Sequence, residues 1–362
     1  MSNSSSDMRK RVLSGMRPTG KLHLGNYMGA LYNWVGLQHQ YECYFFIADL
    51  HALTSDYADT SQLRQNTLDV ALDFLAAGLD PETCTIFVQS QVMPHFALPQ
   101  LLAMITPLGW LERVPTYKEQ QENLTSKDLS TYGFLGYPLM MASDILLYQA
   151  HFVPVGQDQV VHVEFTREIA RRFTYVYQKQ LVGVSEGEPS GPAVALDGEP
   201  ILPEPQVLLT PSPKLPGTDG RKMSKSYGNT IMLSDPEAEV RAKLKTMVTD
   251  PARIRRSDRG NPDVCPVGDL HKVFSSAETL GKVYDGCTKA GIGCIECKGW
   301  AADAIAAHLV PIQERRRKYE QSSSLVAEIL AAGRERAACR AEQTLGEVRA
   351  AMGLFQTDGG AQ

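Results

Sequence analysis

Ser14-Gly15-Met16-Arg17-Pro18-Thr19-Gly20-Lys21-Leu22-His23-Leu24-Gly25-Asn26 joins a short apolar stretch, Val12–Leu13, to a run with helical patterning that opens near Asn26. A strand leading through a Gly- and Pro-rich turn into a helix is half of a βα unit. At that junction free helix N–H groups and the positive end of the helix dipole meet anions. Gly15, Gly20 and Gly25 clear side chains from the turn, so that backbone approaches a ligand closely. His23 and Asn26 lie three residues apart, a spacing that lets both donate hydrogen bonds to one anion as charge builds on it. Taken alone, such a turn is also a common plain loop.

The pattern repeats outward from there. A second strand is expected over Cys43–Leu50, a helix around Leu63–Ala77 closed by Gly78 and the Asp80-Pro81 turn, and a third strand over Thr85–Gln89. Strand and helix in alternation predict an α/β fold with a parallel sheet, right-handed crossovers and ligands at the carboxyl ends of the strands. Residues 94–180 read as a helical insertion, with apolar Leu139–Leu147 and amphipathic Val161–Phe173. Gly183–Gly220, rich in Pro, Gly and Glu, reads as a long connection or a β-excursion. From Asp235 to Phe355 the chain is almost purely helical in pattern and rich in Ala, Glu, Arg and Leu. The expected organisation is a polar tail over 1–10, a parallel-sheet domain over 11–234 and an all-α domain over 235–362.

Length supports this division, because 362 residues exceed what one core usually holds. A hydrophobic share of 43% and a charged share of 21% are ordinary for a globular protein. No apolar run approaches the roughly 18 residues of a membrane span. With a Ser-rich tail in place of a signal peptide, a cytoplasmic location is expected and a membrane one is not. The net charge of −5 requires any contact with RNA to be local. Arg253, Arg255, Arg256 and Arg259, and the run Arg315-Arg316-Arg317-Lys318, are the candidates. Each taken alone is more often a solvated face.

A second phosphate-handling element is Lys222-Met223-Ser224-Lys225-Ser226, at the end of the Pro/Gly-rich connection. Two lysines on a loop can close over a polyphosphate as compact point charges, although alone the segment reads as a solvated loop. In this order and at this separation, the two elements resemble the paired signatures of class I aminoacyl-tRNA synthetases. The resemblance implies a Rossmann-type sheet, ATP bound with Mg²⁺ between the signatures, and attack of an amino-acid carboxylate on the α-phosphate. It gives catalytic roles to His23, Asn26, Lys222 and Lys225.

Gly25-Asn26-Tyr27-Met28-Gly29-Ala30-Leu31, Asp49-Leu50-His51-Ala52-Leu53-Thr54 and Val153-Pro154-Val155-Gly156-Gln157-Asp158-Gln159 resemble the tryptophanyl branch of that family. The likeness runs from about Val12 to Phe355. Within Tyr137-Pro138-Leu139-Met140-Met141-Ala142-Ser143-Asp144-Ile145-Leu146-Leu147-Tyr148, Asp144 matches the carboxylate that accepts the indole N–H. Indole has one donor and no acceptor, so a buried acceptor amid apolar groups such as Met141 selects it. Tyr137, His51 and Gln159 match residues that hold the ring or the ammonium group. Arg17, Pro18, Thr19, Gly25, Asn26, Gly156, Gln157, Asp158, Lys222, Met223, Ser224, Lys225 and Ser226 match ATP-contacting positions. Three departures stand out: Arg17 where many bacterial relatives carry Gln, Leu13 in place of Phe, and Gln120 in place of a lysine. Arg17 is expected to supply the charge that Gln120 lacks. The implied partners are L-tryptophan, ATP, tRNA(Trp) and a second copy in a homodimer. The rival readings are a tyrosyl-tRNA synthetase and a synthetase-like regulatory paralogue.

Seven cysteines in a cytoplasmic chain are not expected to pair. Cys43 and Cys84 lie in apolar runs and Cys339 stands apart. Cys265, Cys287, Cys294 and Cys297 crowd together, the last two spaced C-x₂-C. Four thiolates complete either a tetrahedral zinc site or a [4Fe–4S] cluster, and unliganded thiols are the third reading. The segment Gly286–Cys297 resembles the subset of tryptophanyl-tRNA synthetases with a [4Fe–4S] cluster, which implies a structural centre beside an anticodon-binding region.

Overall fold

The computed structural model describes residues 9–115, 117, 128–178, 200–209 and 215–355, apart from the side chains of Asp158 and Ser323. The expected tail as far as residue 8, Gln120, the side chain of Asp158 and most of the Gly183–Gly220 connection lie outside the described residues.

Five strands form one parallel sheet: β1 (Arg11–Met16), β2 (Glu42–Ile47), β3 (Thr85–Val88), β4 (Phe152–Val155) and β5 (Gln206–Leu209), in spatial order β3-β2-β1-β4-β5. Layers on both faces bury the strands, so β2 and β3 are continuous apolar runs. In register, Leu13 lies opposite Tyr44 and Gly15 opposite Phe46. The Phe46 ring fills the space above Gly15, where a Cβ would come within 2.4 Å of it. Strand order reverses at β1, with β2 on one side and β4 on the other, so a crevice opens at its carboxyl end.

After β1 the chain enters helix α1 (Leu24–Asn26), continues through a π-helical turn at Tyr27–Leu31, and runs on as α2 (Tyr32–Leu37). Next come α3 (Asp49–Asp56) and α4 (Leu63–Ala77), the latter ended by Gly78 at φ 115°, the left-handed cap that glycine adopts without strain. β2 stops at Ile47, short of the expected Leu50, because Asp49 takes a helix N-terminal position and its carboxylate accepts the N–H groups of Leu50 and Ser90. Helices α5 (Pro94–Ala103), α6 (Leu108–Glu112), α7 (Tyr132–Leu135) and α8 (Tyr137–Leu147) follow β3. The stretch expected as a helical insertion to residue 180 is interrupted by β4, which joins the sheet beside β1, and only then does α9 (Val160–Phe173) form.

The C-terminal region comprises α10 (Glu237–Thr246), α11 (Pro266–Phe274), α12 (Ala277–Thr288), α13 (Cys294–Glu320) and α14 (Ser323–Ala351). It does not build a separate core. Trp34, Phe45 and Phe74 share one cluster with Ile305 and Leu309 of α13, and Leu13 and Phe87 share another with Ala337 and Ala341 of α14. At Gly333, α14 lies so close to the edge strand β3 that a Cβ would come within 1.8 Å of the Ile86 carbonyl oxygen. Backbone cannot yield as a side chain does. Gly333→Ala is therefore expected to destabilise the fold by about 3 kcal/mol, read as a lower midpoint in urea. A loss below about 1 kcal/mol would show that the helix shifts freely.

Candidate active site

The crevice beyond β1 widens into a cleft of about 1380 Å³, lined by Arg17, Pro18, Thr19, His23, Gly25 and Asn26 from one side and Lys222, Met223, Ser224, Lys225 and Ser226 from the other, with Gly156, Gln157 and Gln159 after β4. Backbone joins the first signature to the chain just beyond the lysine loop. Leu24 N–H donates to Ile231 O and Leu233 N–H to Leu22 O, both at 2.9 Å. Lys225 completes the closure, with Nζ donating to Thr19 O at 2.8 Å and lying 3.3 Å from Thr19 Oγ1.

His23 caps α1. Its Nδ1 accepts the Asn26 N–H at 3.2 Å, while its own N–H donates to Asn26 Oδ1 at 3.2 Å. This reciprocal cap fixes the ring and leaves the proton on Nε2. Burial, then the charges of Lys225 and Lys222, press the imidazole pKa down to about 4. At neutral pH His23 is thus an uncharged N–H donor. Burial also lowers Lys225, to about 8, against the opposing pull of Asp73 and Asp69.

Asn229, 2% exposed, organises the lysine loop and was not singled out in the sequence. Its Oδ1 accepts Ser224 N–H at 2.8 Å and its Nδ2 donates to Asp219 Oδ1 at 2.7 Å and Lys222 O at 3.2 Å. An Asn just past a Lys/Ser-rich loop was the signal available. Arg17 reaches the cleft wall, but its Nη2 is held by Ser55 Oγ at 2.5 Å and Asp56 Oδ2 at 3.1 Å.

The amino-acid candidates gather around Asp144 on α8, a residue 1% exposed. His51 Nε2 lies 2.8 Å from Oδ2, His95 Nδ1 lies 2.7 Å from Oδ1, and the Gln89 amide donates to both oxygens at 3.0 and 2.9 Å. His95 continues to Tyr148 OH at 2.8 Å. Burial opposes the charge of Asp144, but hydrogen bonds and charge from His51 and His95 more than offset it and hold the carboxyl below its usual range. In the sequence, only their place just beyond the carboxyl end of β3 marks Gln89 and His95 as site residues. Helix α3 connects this cluster to the cleft, since His51 faces Asp144 while Ala52, Leu53 and Ser55 line the cleft wall. Tyr137 and Met141 are half-buried on α8, and Tyr137 packs against Phe134 and His162.

The four clustered cysteines come together at the start of α13. Burial pushes the Cys297 thiol up to about 12, and Cys265, Cys287 and Cys294 add to the rise. Gly260 donates its N–H to Cys287 O at 3.0 Å, and a Cβ there would lie 2.7 Å from Cys287 Sγ. Among the described residues, no group of three or more His, Cys, Asp or Glu side chains is arranged to hold a single metal ion.

Two basic clusters expected to meet RNA are corrected in part. Arg253 is 8% exposed and turned inward, with Nη1 3.4 Å from Cys287 Sγ and Nη2 donating to Arg256 O at 3.3 Å and to Ile292 O. Arg255, Arg256 and Arg259 remain exposed. In the second run, Arg315 Nε donates to Ala76 O at 2.6 Å and Arg316 is 4% exposed among carboxylates, so both serve the interior.

Comparison with known proteins agrees with this geometry. The family model for class I tRNA synthetases of tryptophan and tyrosine (W and Y) matches residues 6–310. A tryptophan–tRNA ligase from Ralstonia nicotianae is 48% identical, over 95% of this chain and 98% of its own length. One from Thermotoga maritima is 49% identical, over 95% and 99%. Among solved structures, the Campylobacter jejuni tryptophanyl-tRNA synthetase complexed with ADP and tryptophan superposes with a TM-score of 0.81 at 30% identity, covering 95% of this chain and 100% of that one. A tyrosyl-tRNA synthetase from Archaeoglobus fulgidus, at 22% identity and a TM-score of 0.59, shares the fold. With both signatures meeting in one cleft and this likeness along nearly its whole length, the chain belongs to the class I tRNA synthetases for tryptophan and tyrosine, among the tryptophan–tRNA ligases.

Proposed function

We propose that this chain activates L-tryptophan with ATP to tryptophanyl-AMP, releasing pyrophosphate, and transfers the tryptophanyl group to the 3′ end of tRNA(Trp). The observation that carries the reading is the convergence of His23, Asn26 and Lys225 on one cleft beside an acceptor cluster built on Asp144. In the activation step the tryptophan carboxylate attacks the α-phosphate in line, and charge grows on the departing pyrophosphate. His23 donates through Nε2–H without having to lose a proton first, and Asn26 keeps its NH₂ group for the same anion. Lys222 and Lys225 offset the pyrophosphate charge, and Mg²⁺ accompanies the nucleotide. Gly25 and Gly156 leave room for the nucleotide backbone, and Gln159 serves the ammonium end of the amino acid.

All four contact positions of Asp144 are filled in this structure. The indole N–H therefore takes the place of one donor. His51 is the natural one to yield, because its side chain is 12% exposed whereas His95 and Gln89 are fully buried.

The cysteine site is read as a structural [4Fe–4S] centre, with zinc as the alternative. What supports a centre is that Cys265, Cys287 and Cys294 all act electrostatically on Cys297, so that four thiols share one neighbourhood, as either centre requires. Such a group would tie α11, α12 and α13 together and supply no chemistry to the cleft. For the homodimer, the support is the number of exposed apolar side chains on and beside the helices after β3: Met93, Phe96, Met104, Leu108 and Tyr132 are 68, 46, 65, 59 and 72% exposed. No helix among the described residues is long and apolar enough to cross a membrane. We place the protein in the cytoplasm.

The test is amino-acid-dependent ATP–pyrophosphate exchange with tryptophan, tyrosine and phenylalanine, with iron, sulfide, zinc and molar mass measured on the same sample. Exchange with tryptophan alone, iron and sulfide in equal amounts and a dimer mass are expected. Exchange with tyrosine instead, or with none of the three, would overturn the assignment.

A further inference from the structure

Arg316 sits on α13, far along the chain from either signature, yet it reaches the base of both. Its guanidinium is 4% exposed and every nitrogen is used. Nη2 donates to Asp69 Oδ1 at 2.6 Å, Nη1 to Asp73 Oδ1 and to Asp69 O at 3.2 Å, and Nε to Glu320 Oε1 at 2.8 Å. Asp73 is 1% exposed, and its second oxygen accepts the Leu22 N–H at 2.7 Å. Leu22 precedes His23, and Leu22 O accepts the Leu233 N–H from the segment beyond the lysine loop. One carboxylate thus ties α13 to the backbone of the first signature, and through Leu22 to the chain that carries the second.

Charge adds a further constraint. Asp69 and Asp73 are both buried, and an uncompensated buried carboxylate seeks a cation. Lys225 is within their electrostatic reach, while its Nζ is now given to Thr19 at the rim of the cleft. Burial already pushes the Asp73 pKa up against the pull of Arg316. Without that guanidinium Asp73 would be pushed further toward protonation, loosening its hold on Leu22, and a carboxylate that stayed charged would draw the ammonium inward, away from a polyphosphate.

We propose that Arg316 is a positioning residue for the activation step: it offsets part of the charge of Asp69 and Asp73 and fixes both side chains, so that Asp73 holds the Leu22 amide and Lys225 stays directed at the phosphates. This rests on the ATP-dependent reading of the cleft given above. It assigns to a residue of the helical region a part in the geometry of the nucleotide site.

The experiment compares wild type, Arg316→Met, Arg316→Lys and the double variant Asp69→Asn/Arg316→Met. It reads KM and kcat for ATP and for tryptophan in exchange, and ATP affinity by calorimetry without tryptophan. Arg316→Met, uncharged but of similar reach, is expected to raise KM and Kd for ATP about tenfold while leaving KM for tryptophan within about twofold. Arg316→Lys should recover part of the loss. Removing one of the two orphaned charges in the double variant, while keeping the Asp73 carboxylate that holds Leu22, should recover more, although it restores no packing. A role in stability alone would lower the denaturation midpoint and the active fraction with both KM values unchanged and no recovery in the double variant, and that result overturns the proposal. Wild type that binds ATP yet shows no tryptophan-dependent exchange would sink the activity reading, while the calorimetric comparison would still decide the role of Arg316.

Discussion

Lys225→Met is expected to lower kcat for tryptophan-dependent exchange by about 10²–10³-fold, the range seen when one donor to a developing anion is removed from a preorganised site. The tryptophan KM should hardly move, since the ammonium faces Thr19 and the nucleotide cleft and not the Asp144 cluster. The pH dependence supplies a second signature. Lys225 titrates at about 8 in the free protein, and kcat/KM reports free-enzyme groups. kcat/KM for ATP is therefore expected to be flat near neutrality and to fall about tenfold per pH unit well above 8, as the cationic form disappears. His23, lowered to about 4, stays neutral across this range and contributes no limb to it. Lys225→Arg should carry the alkaline limb beyond reach at a lower plateau. The same shift acts with opposite sign on folding. Between about 8 and the ordinary lysine value of 10.5, the unfolded chain holds a proton that the folded chain has released, so stability gains with pH where activity declines. An alkaline limb that persists unchanged in Lys225→Arg would assign it to another group.

The second large effect concerns selection of the amino acid. Asp144→Asn keeps shape and volume but turns one acceptor into a donor that faces His51, His95 and Gln89. Exchange with tryptophan is expected to lose roughly 10³-fold in kcat/KM, with most of its preference over phenylalanine, because a site built around one acceptor discriminates by leaving it unpaired. The Lys225 and Asp144 variants differ in a way that no general loss of fold imitates: the first spares tryptophan affinity and the second spares ATP affinity. Equal loss toward both substrates from Asp144→Asn would point to a damaged core.

How much of this was legible in the sequence depended on the range of the interaction. Helix α4 runs from Leu63 to Ala77 as its periodicity and its Gly78 stop predicted, because propensity and capping are local. The two signatures were legible for the same reason: each is a contiguous segment whose glycines and lysines state what the backbone and the charges do. β4, only four residues long, was missed inside an apolar, helix-like stretch, since so short a run carries no period of its own. Arg316 and Arg253 were read as outward-facing because charge runs usually are. What buries them lies 243 residues away at Asp73 and 34 residues away at Cys287, and nothing local announces either partner. The Asp144 cluster was half legible. Asp144 and His51 came from resemblance to the tryptophanyl family, while Gln89 and His95 emerged only when β3 and α5 were brought beside α8.

Helix α13 carries Cys294 and Cys297 in its first turn and Gln313, Arg315 and Arg316 near its end. Twenty-seven residues long, it extends about 40 Å at 1.5 Å per residue. It is a lever: a tilt of one degree about one end sweeps the other through roughly 0.7 Å over that length. Hydrogen bonds tolerate only a few tenths of an ångström before they weaken, and it is at the far end that Gln313 grips Leu233 O and Asp235 O, and Arg316 grips Asp69 and Asp73. Pro311 omits one rung of the helical ladder just before those grips. A tilt at the cysteine end would therefore be felt at the base of the nucleotide cleft to the extent that the buried middle of the helix, Ala301, Ile305 and Leu309, let it move.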